Sequence, residues 1–79
     1  MDPAQSRAAR GLLNWTQSDL VEHSGLAKKT IVDFERGTTR PYGRTLEAMI
    51  AAFEGAGIEF INRGVRMGAS AGRPRSLSK

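Results

Sequence analysis

Cysteine is absent from this 79-residue chain, and histidine occurs only once, at His23. The lack of cysteine excludes disulfide bridges and thiolate metal sites and is typical of a reducing compartment, so we expect a cytoplasmic protein. His23 has neither a cysteine nor paired carboxylates in helical register with it, which favours a plain surface residue over a metal ligand or a base. We therefore expect no metal and no other cofactor.

Long apolar runs are also absent. No stretch approaches the roughly 20 apolar residues that a membrane-spanning helix needs, and the first residues lack the basic and apolar regions of a signal peptide. No glycine-rich loop matches a nucleotide-binding fingerprint, and no serine or threonine has a recognisable base partner. The sequence therefore predicts neither membrane association nor catalytic residues, and we do not expect an enzyme.

The chain is short and basic. Seventy-nine residues allow a single domain whose core is only marginally sufficient, which favours tight helix packing, oligomerisation or both. Twelve Lys and Arg against eight Asp and Glu give a net charge of +4. This charge suits a polyanionic partner such as nucleic acid, although many small basic proteins bind none.

Local signals divide the first part of the chain into two helices. Apolar residues recur at helical spacing from Pro3 to Asn14, which predicts an amphipathic helix. Thr16 is followed three positions later by Asp19, an arrangement close to a capping box, so a second helix should begin there. Gly25 should end it, because glycine readily adopts the left-handed conformation that closes a helix.

Two further helices are expected. The third spans Lys28 to Glu35 and ends at Gly37, and residues 38–43 form an exposed loop. Thr45 is expected to cap the fourth helix, which residues 55–57 terminate. The side chains expected in the core are Trp15, Ile31, Phe34, Leu46, Ile50 and Phe53.

The last part of the chain is predicted to form strands and a tail instead of helices. Ile58 to Ile61 and Val65 to Met67 are short apolar segments around a tight turn, which predicts a β-hairpin. Residues 68–79 are too poor in apolar side chains to fold alone, so we expect a disordered basic tail that is either solubilising or attracts phosphate diffusely. The fold class is thus mainly α, a compact four-helix domain over residues 1–57 with a hairpin over residues 58–67.

Two short helices joined by a glycine turn, the second with a lysine-rich polar face, allow one helix to enter the major groove while the other braces it. The stretch from Thr16 to Leu26, with Thr30-Ile31 and Phe34 to Gly37, resembles the Cro and phage-repressor type of helix-turn-helix family over about the first 54 residues. This resemblance implies a lambda-repressor-like DNA-binding domain. The chain departs from the family at Ala27, where Ser or Thr commonly caps the recognition helix, and in the hairpin that replaces a fifth helix.

The resemblance implies that the third helix reads DNA bases. Lys28 and Lys29 lie in its first turn and suit guanine O6 and N7, while Asp33 suits cytosine N4 and Val32 a thymine methyl group. Other interpretations remain open. In these interpretations the lysines contact only phosphates, Asp33 is a solvated acid, and Val32 packs at the rim of the core.

Other positions match the backbone contacts of the family. Gln17, at the start of the second helix, is expected to hold a phosphate, unless it is an ordinary polar residue. Arg10 and Glu35 match an internal ion pair that ties the first helix to the third. The loop residues expected to contact the sugar-phosphate backbone, with Arg7 as a weaker candidate, are Thr38, Thr39, Arg40 and Arg44.

The resulting hypothesis is a homodimeric transcriptional regulator, most simply a repressor, on a palindromic operator of double-stranded DNA in the nucleoid. A two-stranded hairpin is marginal alone, so the side chains expected in the dimer interface are Ile58, Phe60, Ile61 and Val65. The alternative is that the hairpin folds onto its own core. A second hypothesis is an antitoxin or antiactivator that acts mainly by binding another protein.

Overall fold

A computed structural model describes residues 1–41, 43–62 and 64–68. Of the expected disordered tail, residues 68–79, only Gly68 is described, and it is buried, with its backbone amide donating to the carbonyl of Gly57. The elements in chain order are α1 (Pro3–Leu13), α2 (Gln17–Ser24), α3 (Lys28–Arg36), α4 (Gly43–Gly55), β1 (Ile58–Ile61) and β2 (Gly64–Met67). The predicted fold class, four helices followed by an antiparallel hairpin, is confirmed. None of the described helices is long and apolar enough to cross a membrane.

The first two helices begin with reciprocal caps. Asp2 accepts a hydrogen bond from the Gln5 backbone at 2.8 Å, and the Gln5 side chain accepts one from the Asp2 backbone at 3.0 Å. The predicted box at α2 is confirmed, with Thr16 and Asp19 joined in the same way at 3.1 and 2.8 Å. Each box satisfies two backbone amides that a helix start leaves without intrahelical partners.

The ends of α2 and α3 depend on glycine. Gly25 and Gly37 adopt φ values of 76° and 82°, where a side chain would be strained, so the turn between the two helices begins where the sequence predicts it. Ala27 precedes α3 without any side-chain cap. The expected Thr45 cap is wrong, because α4 already includes Gly43.

The core lies where the four helices and the hairpin meet. Phe53 is fully buried, and its ring centroid lies 5.8 Å from that of Trp15 and 6.1 Å from that of Phe60. Met49 is fully buried, whereas Ile50, expected in the core, is only half-buried. Leu46 packs against the core as expected. The buried apolar side chains are Ala9, Leu20, Ile31, Phe34, Met49, Phe53 and Ile58.

The hairpin is attached to the helical part of the chain. Its register pairs Ile58 with Met67 and Phe60 with Val65, and directly opposite residues share one face of a sheet. Ile58 is buried, and Phe60 and Val65 pack partly buried against the core. The side-chain nitrogen of Gln5 also donates to the carbonyls at both ends of the turn, on Ile61 and Gly64. Three of the four side chains expected in the dimer interface therefore pack onto the core of their own chain. This is what the alternative interpretation of the hairpin predicts.

Candidate nucleic-acid interface

The helix that the sequence predicts to read DNA bases, α3, is packed against the protein on one side only. Helix α3 packs against α1 and α2, and its buried residues are Ile31, Phe34 and Glu35. These positions recur at intervals of three and four residues, so one face of the helix points into the protein. The opposite face is left to solvent.

That exposed face carries the residues expected to read bases. The helical period places Lys28, Val32 and Arg36 along one line, with Lys29 and Asp33 beside it. Both lysines and Arg36 are exposed, and Val32 and Asp33 are half-buried. Arg36 was not predicted to lie on this face, although its position four residues after Val32 indicates the same side of the helix.

Lys28 points back toward the start of α2. Its ammonium nitrogen donates to the hydroxyl of Ser18 at 3.2 Å, and both side chains are exposed. Ser18 lies in the first turn of α2, next to Gln17. This hydrogen bond joins the first turns of the two helices of the motif, and Ser18 is a neighbour of Lys28 that the sequence did not indicate.

Lys29 and Asp33 form an ion pair along one turn of α3. The distance from the Lys29 nitrogen to the Asp33 carboxylate is 3.1 Å, and the lysine side chain is 86% exposed against 20% for the aspartate. Such a pair in water contributes little to stability. Its effect is to place a donor and an acceptor side by side on the exposed face.

Gln17 faces inward through its side-chain nitrogen. This nitrogen donates to Oε1 of Glu35 at 3.1 Å, so one of its two hydrogens is engaged inside the protein. The second hydrogen and the backbone amide at the start of α2 are the groups that a phosphate would meet. Binding of phosphate by Gln17 stays a prediction.

Glu35 accepts hydrogen bonds from three other side chains on both carboxylate oxygens. Arg10 donates at 2.7 Å to Oε1 and at 2.9 Å to Oε2, which confirms the expected ion pair, and Ser6 donates to Oε2 at 2.5 Å. Burial raises the pKa of Glu35, but the hydrogen bonds from Arg10, Ser6 and Gln17 and the Arg10 charge outweigh it and hold that pKa below its ordinary value. The carboxylate stays charged and fixes α3 to α1 and α2.

Ser6 and Arg7 were not expected in this network. The Arg7 guanidinium donates to the backbone carbonyl of Glu35, in the last turn of α3, where carbonyls lack helical partners. Ser6 lies four residues before Arg10, so both face the same side of α1. That spacing was visible in the sequence, but it does not show which carboxylate the side chains reach.

The segment after α3 exposes the residues expected to contact the DNA backbone. Thr38, Thr39, Arg40 and Arg44 are all exposed, but Arg44, expected in the loop, lies in the first turn of α4. The Thr38 hydroxyl donates to the carbonyl of Asp33 at 3.1 Å, which ties the start of the loop to α3. No group of three or more His, Cys, Asp or Glu side chains within residues 1–41, 43–62 and 64–68 is placed to hold a metal ion.

Two short helices joined at Gly25, with a basic outer face on the second, define a DNA-binding domain. Residues 7–59 match the model of a family described as helix-turn-helix, and the chain belongs to this family, which is of the Cro and phage-repressor type. The family consists of DNA-binding regulators and is typically without catalytic activity. Comparison with curated proteins gives no match.

Proposed function

We propose that the protein is a sequence-specific repressor that binds a palindromic operator as a homodimer, with α3 of each copy in the major groove of one half-site. The observation that carries this proposal is the division of α3 into two faces. Glu35 is fixed in hydrogen bonds on one face, while Lys28 and Lys29 project from the first turn on the other. Base contacts in helix-turn-helix complexes come from this first turn.

The remaining residues of the exposed face complete the reading surface. The ammonium groups of Lys28 and Lys29 donate to guanine, Asp33 accepts from cytosine N4, and Val32 contacts a thymine methyl group. Because Lys29 and Asp33 are paired in the free protein, DNA binding must open or reorient that pair.

Backbone contacts would set the register of the protein on the duplex. Gln17 would supply them at the start of α2, and the exposed segment after α3 would supply the rest. The residues assigned to these contacts are Thr38, Thr39 and Arg40 in the loop and Arg44 in the first turn of α4. Repression would follow from occlusion of a promoter by the bound dimer.

The experiment that tests this function is selection of bound duplexes from a random pool. We expect a palindromic consensus whose half-sites are about one helical turn, or roughly 10 base pairs, apart. Enrichment of a single half-site would overturn the dimeric part. No enrichment over scrambled duplex would overturn sequence-specific binding and favour action on a protein partner.

The assigned reading residues are tested by gel shift on the selected duplex. Lys28→Ala and Lys29→Ala should each weaken binding by about 1–3 kcal/mol, roughly 5- to 150-fold. Ala51→Glu is the matched control, because it lowers the net charge by the same amount at an exposed position of α4. If the control weakens binding as much as the lysine variants, the lysines act only through net charge.

A further inference from the structure

The face of the hairpin that points away from the core is exposed. Ile58, Phe60 and Val65 face the core, and the alternation of side chains along a strand turns Glu59, Ile61 and Arg66 to the opposite side. We call these three residues the outer hairpin face. Ile61 is 44% exposed there, so a large apolar side chain of this face is in contact with water.

The charges of the outer hairpin face are arranged in a cross-strand pair. Glu59 and Arg66 are directly opposite in the register, with 2.8 Å between the carboxylate and the guanidinium nitrogen. Their side chains are 46% and 66% exposed, so the pair contributes little to the stability of a single chain. One acid and one base side by side give a face without net charge, which has no attraction for DNA phosphates.

Ile61 leans toward the line between the two strands. It is opposite Gly64, and its outer carbons lie 3.6 and 3.7 Å from where a β-carbon of Gly64 would stand. The apolar side chain therefore covers the position where the opposite strand has none.

We propose that a second copy of this chain docks on the outer hairpin face about a two-fold axis that runs between the two strands. Such an axis places Glu59 over the partner's Arg66, Arg66 over the partner's Glu59, and the two Ile61 side chains against each other. A two-fold interface must be complementary to itself, and this face meets that condition in charge and in apolar contact. The inference rests on the proposed homodimer and identifies its interface.

The position of the hairpin in the fold is compatible with the docking of a second copy there. The hairpin packs against α1 and α4, whereas α3 packs against α1 and α2. A copy docked on the outer hairpin face therefore leaves the exposed face of α3 free. The proposal also replaces the expected interface, because Ile61 alone among its four residues is exposed.

The test is charge reversal followed by mixing, measured by sedimentation equilibrium of the full chain without DNA. Wild type should be a dimer. Glu59→Arg makes the face doubly positive and Arg66→Glu makes it doubly negative, so each variant alone should associate at least about tenfold more weakly. An equimolar mixture of the two should recover a dimer of wild-type affinity, because each face then meets its opposite.

Recovery on mixing separates docking from folding, since an unfolded variant is not rescued by another variant. Glu54→Arg is the matched control, with the same change of charge at an exposed position of α4, and should leave association unchanged. A monomeric wild type, single variants that dimerise like wild type, or a mixture that stays monomeric would each overturn the proposal.

Failure of this interface is distinguishable from failure of the proposed function. A palindromic consensus in the duplex selection together with unaffected dimerisation of the charge variants would move the interface elsewhere and leave the repressor intact. A dimer with the expected charge behaviour but no DNA selectivity would overturn the repressor and leave the interface.

Discussion

The guanidinium of Arg10 donates two hydrogen bonds to the carboxylate of Glu35, at 2.7 and 2.9 Å, and thereby fastens α1 to the last turn of α3. The Arg10 side chain is 18% exposed and that of Glu35 only 3%. A charge this buried is tolerated because every oxygen is hydrogen-bonded. The pair therefore holds α3 from its buried side.

Removal of the Glu35 carboxylate should destabilise the folded protein. Glu35→Ala leaves the Arg10 charge without a partner, and we expect the free energy of unfolding to fall by about 3–5 kcal/mol. Urea denaturation followed by circular dichroism measures this loss. Glu47→Ala, at an exposed site on α4, should stay within about 0.5 kcal/mol of wild type.

The double variant tests whether the two side chains act together. Arg10→Ala combined with Glu35→Ala should destabilise the protein clearly less than the sum of the single changes, because the second change removes a charge that has already lost its ion-pair partner. Additive losses would show that the two residues act independently.

Stability should also depend on Glu35 in acid. Its pKa is held below the ordinary value, so the unfolded chain binds the proton more readily than the folded one. Its stabilising contribution is complete above the unfolded pKa of about 4.3 and is lost as the pH falls toward the lower pKa of the folded state. Denaturation of wild type and Glu35→Gln as a function of pH should converge in that range. A constant difference between them would contradict this account.

The start of α3 lacks a side-chain cap, and a residue that supplies one should stabilise the protein. Ala27 has extended backbone angles but no side-chain hydrogen bond to the helix, so Ala27→Ser should supply the missing cap and stabilise the protein by about 0.5–1 kcal/mol. Thermal unfolding measures the gain. Ala8→Ser is the control, because an exposed serine inside α1 offers no cap and should slightly destabilise the protein.

Asp33 should determine selectivity rather than stability. Asp33→Ala breaks the Lys29 pair, at a cost of no more than about 0.5 kcal/mol to folding. It also removes a carboxylate that phosphates repel, so binding to unrelated DNA should tighten and the affinity ratio between selected and scrambled duplex should fall. Fluorescence anisotropy titrations with both duplexes check this. An unchanged ratio would make Asp33 a solvated acid only.

The two exposed arginines after α3, Arg40 in the loop and Arg44 in α4, should affect binding to all DNA sequences alike. Arg40→Ala and Arg44→Ala should each weaken binding to selected and scrambled duplex by the same factor and reduce the slope of log affinity against log salt by about 1. Titrations at several salt concentrations give that slope. A change in the preferred bases would show that the arginine reads sequence.

Much of the fold could be predicted because its signals are local. The Thr16 and Asp19 cap joins residues three positions apart, and the glycine at each helix end acts through its own backbone angles. The start of α4 and the burial of Met49 instead of Ile50 were not predictable in this way. The choice of Met49 over Ile50 depends on which side of α4 meets α2 and the hairpin, which helical spacing alone does not define.

The amino-acid sequence was sufficient to predict the helix-turn-helix, the basic face of its second helix and the family to which the chain belongs. The contacts of Ser6 and Gln17 with Glu35, beside Arg10, and the burial of Ile58 with exposure of Ile61 are visible only in the folded chain. Local propensity and periodicity act over a few neighbouring residues. Hydrogen bonds between elements and the choice of a buried face arise only when distant segments pack together.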